Sequence, residues 1–202
     1  MKKILIIMIV LAMFTLLIAE TKVDELVEKS YEYETAGNYQ QALTNMFAVT
    51  HLAPSDAYYN LRTGWLYYSL YNYFDALKYY VISYNLDKNF EALEGIVLCN
   101  YMLGNWEETI SYGELVLQKN PKDFLTLSKL GYSYFVEQNW TKAAEYYGRA
   151  CDIYSYNITC LSYYLSALVE NKQTREAKIV YQKLKKLNPN NLVVAKYANK
   201  LN

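Results

Sequence analysis

Apolar residues recur along most of this chain at the spacing of one face of a helix. The clearest stripe lies within residues 74–86, and its members are separated by three, one and three positions: Leu77, Tyr80, Val81 and Tyr84. That spacing places the side chains on one side of an α-helix. Similar stripes lie on both sides of short polar breaks such as Gly104-Asn105. The pattern predicts an all-α chain of amphipathic helices that pack through one face.

The breaks between helices recur with a nearly constant period. Each break is closed by a small residue, and these residues are Ala42, Ala76, Thr109, Ala143 and Ala177. Successive members are 34, 33, 34 and 34 positions apart. A period near 34 that is built from helix–turn–helix pairs is typical of a helical solenoid. The sequence therefore predicts an α-solenoid of about five helix–turn–helix repeats.

The repeats and one closing helix account for the chain after its first 19 residues. We place the repeats at about 23–56, 57–89, 90–123, 124–157 and 158–191. Residues 192–202 then form a capping helix, which covers the apolar face that the last repeat leaves open. No linker or low-complexity segment divides residues 20–202. We therefore predict a single solenoid domain over that range.

The repeated unit resembles the tetratricopeptide repeat. The residues of the fourth repeat that carry the resemblance are Leu130, Gly131, Tyr134, Ala143, Tyr147 and Ala150, and those of the second are Gly64, Tyr67, Ala76 and Tyr80. The family's proline position after the second helix holds Pro54, Pro121 and Pro189. The third repeat departs most, with Thr109 in the alanine position and Gly113 where an aromatic residue is usual. The resemblance covers about residues 23–191 and implies a right-handed solenoid.

The same resemblance implies a concave groove that is lined by the first helix of each repeat. In this chain the groove would carry Leu61, Trp65, Tyr68, Leu98, Tyr101, Tyr132 and Phe135. A contiguous row of exposed aromatic side chains indicates a binding surface, although neighbouring helices bury part of the row in the alternative interpretation. We expect Trp65 and Tyr132 to be its most exposed members.

One subset of the family binds the C-terminal carboxylates of chaperones through lysine, arginine and asparagine side chains in the groove. The corresponding positions here hold Leu61, Trp65, Glu94, Leu98, Ser128 and Tyr132. That set of ligands is absent, so binding of chaperone tails is disfavoured. A partner segment with apolar or aromatic residues, either extended or helical, is more compatible with these side chains.

The N-terminus has the pattern of an export signal. Met1-Lys2-Lys3 is followed by an apolar run from Ile4 to Ile18, and Ala19 precedes a polar stretch. This order is typical of a secretory signal peptide, and the run is short for a membrane span, which needs about 20 apolar residues. We predict cleavage after Ala19 and an exported protein, periplasmic or extracellular. The alternative is an uncleaved anchor formed by residues 4–19, which would attach the protein to a membrane.

Charge and reactive residues exclude several classes of function. Without residues 1–19 the chain has 18 basic and 20 acidic residues, which is no footprint for nucleic acid. His51 is the only histidine, and the chain has neither a glycine-rich phosphate loop nor a CxxC pair. We therefore predict no enzyme activity, no cofactor and no metal site. The 24 tyrosines fit helix packing, since tyrosine combines an apolar ring with a polar tip.

The three cysteines leave two interpretations open. Cys151 and Cys160 lie at similar distances from the turn at Ser155-Tyr156, so they face each other across it in the predicted fold. Export permits a disulfide between them, and two buried thiols without a bond are the alternative. Cys99 stands in a position where the family has alanine, and we predict that it is an unpaired buried thiol.

These observations favour a non-catalytic, exported adaptor that binds a protein or peptide segment in the groove. Two alternatives remain. A glycan-binding module of the cell envelope would use the same rings to stack on sugars, and a structural protein would self-associate through an incompletely capped end.

Overall fold

The structure is a computed structural model that describes Ile7 and residues 21–201. Helix α1 occupies residues 21–35, and its successors are α2 (Tyr39–Leu52), α3 (Ala57–Ser69), α4 (Tyr73–Asp87), α5 (Phe90–Leu103), α6 (Trp106–Lys119), α7 (Phe124–Val136), α8 (Trp140–Ile153), α9 (Ile158–Glu170), α10 (Thr174–Leu187) and α11 (Leu192–Leu201). The described residues contain no strand. The predicted all-α fold of repeated helix pairs is confirmed. The predicted signal peptide or anchor, residues 1–19, lies outside the described residues except for Ile7.

Two adjacent residues set the turn inside each helix pair. The first adopts the left-handed conformation, with φ between 59° and 76°, at Gly37, Tyr71, Gly104, Gln138 and Lys172. The second is most often asparagine, and the side chains of Asn38, Asn72 and Asn139 each accept a hydrogen bond from a backbone N–H of the helix that follows. This bond satisfies one of the amides that a helix start leaves unpaired. The asparagine cap therefore supports the turn at Tyr71 and Gln138, where glycine is absent.

The chain divides into two compact units, the first ending at Gly95 and the second beginning at Ile96, within α5. The single domain predicted for residues 20–202 stays a prediction.

In the first unit, α2 and α3 pack around a small apolar core. Its buried members are Ala42, Leu43, Met46, Val49 and Leu66. Helices α3 and α4 approach closely at Gly64, where an added Cβ would lie 3.0 Å from the Tyr80 ring. The Ser83 hydroxyl on α4 also donates a 2.7 Å hydrogen bond to the Ala57 carbonyl oxygen at the start of α3. The absence of a side chain at Gly64 thus lets a tyrosine ring fill the space between the two helices.

In the second unit, a larger core extends from α6 to α11. Gly131 on α7 receives the Tyr147 ring of α8 in the same way, with an added Cβ at 2.9 Å from that ring. At Gly113, an added Cβ would lie 2.1 Å from Leu130 Cδ1, so Leu130 fills the space of the aromatic side chain that the third repeat lacks. Helix α11 packs on α9 and α10 and buries Val194, Tyr197 and Leu201. Its position is that of the predicted capping helix.

Candidate functional site

A cavity of about 200 Å³ opens on the second unit between α5, α7, α8 and α9. We call it the Lys129 pocket. Its lining combines aromatic rings with a few polar groups: Tyr101, Phe124, Ser128, Lys129, Tyr132, Tyr147, Asn157, Thr159, Cys160 and Tyr163. Small-molecule sites occupy about 300–1,000 Å³, whereas a cavity of about 150 Å³ holds a single benzene ring. The pocket therefore has the size of one side chain rather than of a cofactor.

Aromatic rings form a connected row along one side of the pocket. The centroids of Tyr101 and Tyr132 are 5.5 Å apart, and those of Tyr132 and Tyr163 are 5.4 Å apart, both in edge-to-face geometry. Tyr163 also stacks on Tyr147 at 5.5 Å, with an angle of 6° between the ring planes. Such pairs stabilise by about 0.5–1.5 kcal/mol beyond the area that they bury. The rings are consequently held in place by their contacts with one another.

Two tryptophans that begin second helices support this row. Trp106 on α6 lies 5.7 Å from Tyr101 and 5.6 Å from Tyr132, measured between ring centroids. Trp140 on α8 lies 5.0 Å from Phe135, which in turn contacts Tyr163 at 5.5 Å. The two indoles thus fix the rings of the first helices from the side of the following helix.

Lys129 is the cation of the pocket, and it lies half-buried on α7. Its Nζ is 4.2 Å from the centroid of the Tyr101 ring, a cation–π contact. Within residues 21–201 it forms no ion pair with a carboxylate. Burial lowers the pKa of Lys129, and the charge of Asp123 only partly opposes that effect. The ammonium group is therefore a partly desolvated charge without a counter-ion in this region.

The neighbouring hydroxyl of Ser128 is also without a partner. Its Oγ is buried and forms no hydrogen bond, although the residue lines the same cavity. Buried hydroxyl groups are usually hydrogen-bonded because desolvating one without a bond costs about 1–3 kcal/mol. The pocket thus contains two adjacent residues whose polar ends have unused bonding capacity.

The phenols around Lys129 do not supply the missing negative charge. Burial raises the pKa of Tyr101, of Tyr147 and of Tyr163, so all three hydroxyls remain protonated at neutral pH. The Asp123 carboxylate accepts a 2.7 Å hydrogen bond from the Thr126 backbone N–H and caps α7. Neither the rings nor this carboxylate neutralises the ammonium group.

The structure brings part of the predicted groove together. In the second unit, Tyr101 contacts Tyr132 directly and Phe135 joins them through Tyr163, while Leu98 is half-buried on α5. Tyr132 is half-buried, so it is neither the fully open side chain that we expected nor an inaccessible one. Binding of a ligand by these residues stays a prediction.

The predicted groove residues of the first unit are also half-buried. Leu61, Trp65 and Tyr68 lie on α3. The Trp65 ring has the Tyr39 ring against its edge at 5.8 Å and the Arg62 guanidinium carbon 4.8 Å from its centroid. Because packing covers much of Trp65, its exposure is lower than we expected from the sequence.

The sequence interpretation missed Lys129 and Tyr163 as site residues, although the repeat contains a signal for Lys129. Each lies 14 positions before the small residue that closes its turn, Ala143 or Ala177. Arg62 and Gly95 occupy the corresponding position in two earlier repeats. Comparing this position between repeats would have singled out two cations on first helices.

The cysteines are free, buried thiols in the structure. Cys160 donates from its Sγ to the Tyr147 carbonyl oxygen at 3.5 Å. The neighbouring Cys160 thiol, together with burial, raises the pKa of Cys151. Burial raises the pKa of the Cys99 thiol to about 12. The two thiols thus face each other as expected, and a disulfide between them stays a prediction that requires an oxidant.

No group of three potential metal ligands is found among the described residues. Within the same part of the chain, no helix has the length and apolar character that a membrane crossing requires.

Solved structures share this fold. MamA 41-end from Desulfovibrio magneticus RS-1 is 18% identical with a TM-score of 0.75, covering 83% of this chain and 96% of that one. YrrB, described as a TPR protein with an unusual peptide-binding site, is 14% identical with a TM-score of 0.77, covering 92% of this chain and 97% of its own. A tetratricopeptide repeat protein from Parabacteroides merdae is 18% identical with a TM-score of 0.73. The match covers 90% of this chain and 72% of that one.

No protein-family model matches the chain. No curated protein matches it in sequence either. The structural matches nevertheless give the fold, which is the tetratricopeptide-repeat fold that the sequence pattern resembles.

Proposed function

We propose that this chain is a non-catalytic module that binds a protein or peptide segment, and that the Lys129 pocket receives one group of that segment. The observation that carries the proposal is the cavity of about 200 Å³ beside a fixed row of half-buried rings. Rigid aromatic side chains offer contact area at a low cost in conformational entropy, and they are enriched where proteins bind one another. The description of YrrB as having a peptide-binding site agrees with this use of the fold.

The geometry favours a peptide over a glycan. A sugar stacks on the open face of a ring, but the faces of Tyr147 and Tyr163 cover each other with only 6° between their planes. The contacts from Tyr101 to Tyr132 and from Tyr132 to Tyr163 also place ring edges against ring faces. Few faces are therefore free for stacking, whereas the cavity admits a side chain.

We further infer that residues 1–19 direct export, and that the binding module works in the periplasm or outside the cell. The basic start, the apolar run from Ile4 to Ile18 and the small Ala19 support this inference. Mass spectrometry of the protein purified from its native cells tests it. A mature chain that begins at Glu20 is the expected result, and a chain that retains Met1 in a cytosolic fraction contradicts it.

Selection of peptides tests the binding proposal. A library of random dodecapeptides is panned against the purified protein, and the affinity of each selected peptide is then measured by fluorescence anisotropy. Replacing Tyr132 by leucine removes a ring that lines the pocket. We expect Tyr132→Leu to weaken binding by about tenfold, equivalent to about 1.4 kcal/mol, since loss of a central aromatic contact typically costs 1 kcal/mol or more.

Phe74→Leu is the matched control, because Phe74 is 73% exposed on α4 of the first unit. It should bind the selected peptides like the wild type. Peptides that bind Tyr132→Leu and the wild type equally well would show that the pocket is not the binding site. Circular dichroism on each variant confirms that the helices are retained.

A further inference from the structure

The strongest unexplained feature of the second unit is the charge of Lys129. A half-buried ammonium group loses part of its hydration, and this loss is normally offset by a nearby carboxylate. Lys129 has the Tyr101 ring at 4.2 Å and no ion pair within residues 21–201. A cation–π contact offsets only part of the desolvation. An external anion would supply the rest.

A second polar group lies beside this charge. Ser128 precedes Lys129 on α7, its buried Oγ has no hydrogen-bond partner, and both residues line the cavity. The hydroxyl donates a hydrogen bond and the ammonium donates hydrogen bonds and charge. Together they provide donors for an acceptor group that carries one negative charge.

The size and charge of the pocket limit the anion. One cation is present, so a monoanion is neutralised and a phosphate dianion is not. Recognition of phosphate or of a planar pair of oxygens is more often the task of arginine, whose guanidinium forms two parallel bonds, whereas lysine acts as a point charge. The rings of Tyr132 and Tyr163 form apolar walls around the charge. A carboxylate on a short apolar stem fits this arrangement.

We propose that Lys129 and Ser128 bind a carboxylate of the partner segment, either an acidic side chain or its free C-terminus, with an apolar or aromatic group beside it against the Tyr132 and Tyr163 rings. The proposal rests on the peptide-binding role of the same pocket and names the chemical group that the pocket selects.

Small probes test the chemistry without knowledge of the partner. Phenylpropionate carries a carboxylate on an aromatic stem, phenylpropionamide has the same shape without the charge, and phenyl phosphate carries the larger anion. Binding to the ¹⁵N-labelled protein is followed by NMR shifts at Ser128, Lys129 and Tyr132. We expect phenylpropionate to bind at least about tenfold more tightly than the amide, the ratio that corresponds to one charge-assisted hydrogen bond.

Lys129→Met tests the lysine itself. Methionine keeps an unbranched apolar stem and removes the charge, so the preference for phenylpropionate over its amide should disappear while weak binding of both remains. Lys129→Arg retains the charge and should retain the preference. The control is Lys178→Met, since Lys178 is an exposed lysine on α10 outside the pocket lining. An unchanged preference in Lys129→Met, equal binding of acid and amide to the wild type, or tighter binding of phenyl phosphate would each overturn the proposal.

Peptides from the library selection distinguish the two sources of the carboxylate. Each selected peptide is synthesised with a free or an amidated C-terminus, and with each acidic residue changed to its amide. One of these changes should weaken binding to the wild type but not to Lys129→Met. The carboxylate that this change removes is the one that the pocket binds.

Failure of this inference differs from failure of the peptide-binding role. Peptides that depend on Tyr132 but are indifferent to Lys129→Met would leave the binding role intact and remove the carboxylate. If phenylpropionate binds at Lys129 but no peptide depends on Tyr132, the carboxylate site is kept and the peptide-binding role is lost.

Discussion

Arg62 in the first unit and Lys129 in the second occupy the same position of the repeat. Each lies 14 residues before the small residue that closes the turn, Ala76 or Ala143. Both cations lie over aromatic rings of the first helices. Only Arg62 has a carboxylate partner: its guanidinium forms an ion pair with Glu34, and the two side chains are 17% and 22% exposed.

One position of the preceding repeat accounts for the difference. Glu34 and Tyr101 each lie eight residues before the small residue of their own repeat. Glu34 therefore gives Arg62 a carboxylate, whereas Tyr101 gives Lys129 a ring. The first unit neutralises its cation internally, whereas the cation of the second unit has no carboxylate partner among residues 21–201. A difference at this one repeat position, Glu34 or Tyr101, therefore separates a cation held in an ion pair from a cation that is a candidate binding group.

The largest expected effect comes from removing each cation in turn. Arg62→Met leaves the Glu34 carboxylate without its partner and should lower the free energy of unfolding by about 3 kcal/mol, as for other poorly exposed ion pairs. Lys129→Met leaves no carboxylate unpaired and should therefore not lower the free energy of unfolding. Urea unfolding followed by circular dichroism measures both, with Lys178→Met as the exposed control. Equal destabilisation by the two variants would remove the contrast between the units.

The second effect uses the two glycines that receive tyrosine rings. Gly131→Ala and Gly64→Ala each place a Cβ about as close to a ring, at 2.9 Å from Tyr147 and 3.0 Å from Tyr80. We expect both to destabilise by about 2 kcal/mol through overpacking. Since Tyr147 lines the pocket, only Gly131→Ala should also weaken phenylpropionate binding, as measured by NMR titration. Similar weakening by Gly64→Ala would contradict the assignment of the site to the second unit.

The third effect comes from giving the second unit the carboxylate of the first. Tyr101→Glu places an acid beside Lys129, where Glu34 stands relative to Arg62, and should weaken phenylpropionate binding by about tenfold through competition for the ammonium group. Tyr101→Gln removes the same ring without adding charge and is the matched control. If Tyr101→Gln weakens binding as much as Tyr101→Glu does, the ring rather than the missing carboxylate is responsible.

The smallest effect concerns the stability of Lys129→Met and its dependence on pH. Burial lowers the pKa of Lys129 in the folded state, so the unfolded chain binds more protons and wild-type stability rises as pH increases through that lowered pKa. The variant lacks this titration. It should therefore be more stable than the wild type at neutral pH, by about 1 kcal/mol or less, and the gain should shrink at alkaline pH. A gain that grows with pH would contradict the assigned direction.

Much of the fold was predictable because it depends on local signals. The period of small residues from Ala42 to Ala177 located the turn inside each helix pair, and the asparagine caps at Asn38, Asn72 and Asn139 are bonds within a few residues of sequence. Tyr101, Tyr132 and Phe135 were placed together because the resemblance to the tetratricopeptide repeat implies a groove lined by first helices, and the structure connects their rings directly or through Tyr163.

Lys129 was missed because a single lysine on an amphipathic helix usually lies in water. Its partial burial depends on the Tyr101 ring, 28 positions earlier, and on the rings around the pocket. The lower exposure of Trp65 has a similar origin, because Tyr39 and Arg62 pack against its ring.

The sequence by itself determined that the chain forms repeated helix pairs, because hydrophobic period, left-handed turn residues and helix caps act over a few positions and repeat every 33 or 34 residues. Only the tertiary structure decided which cation is neutralised and which remains available, because that depends on whether Glu34 or Tyr101 reaches the charge from a helix of the preceding repeat. Electrostatic pairing acts between atoms a few ångströms apart in space, and residues 28 positions apart in the chain become such neighbours only after the helices pack.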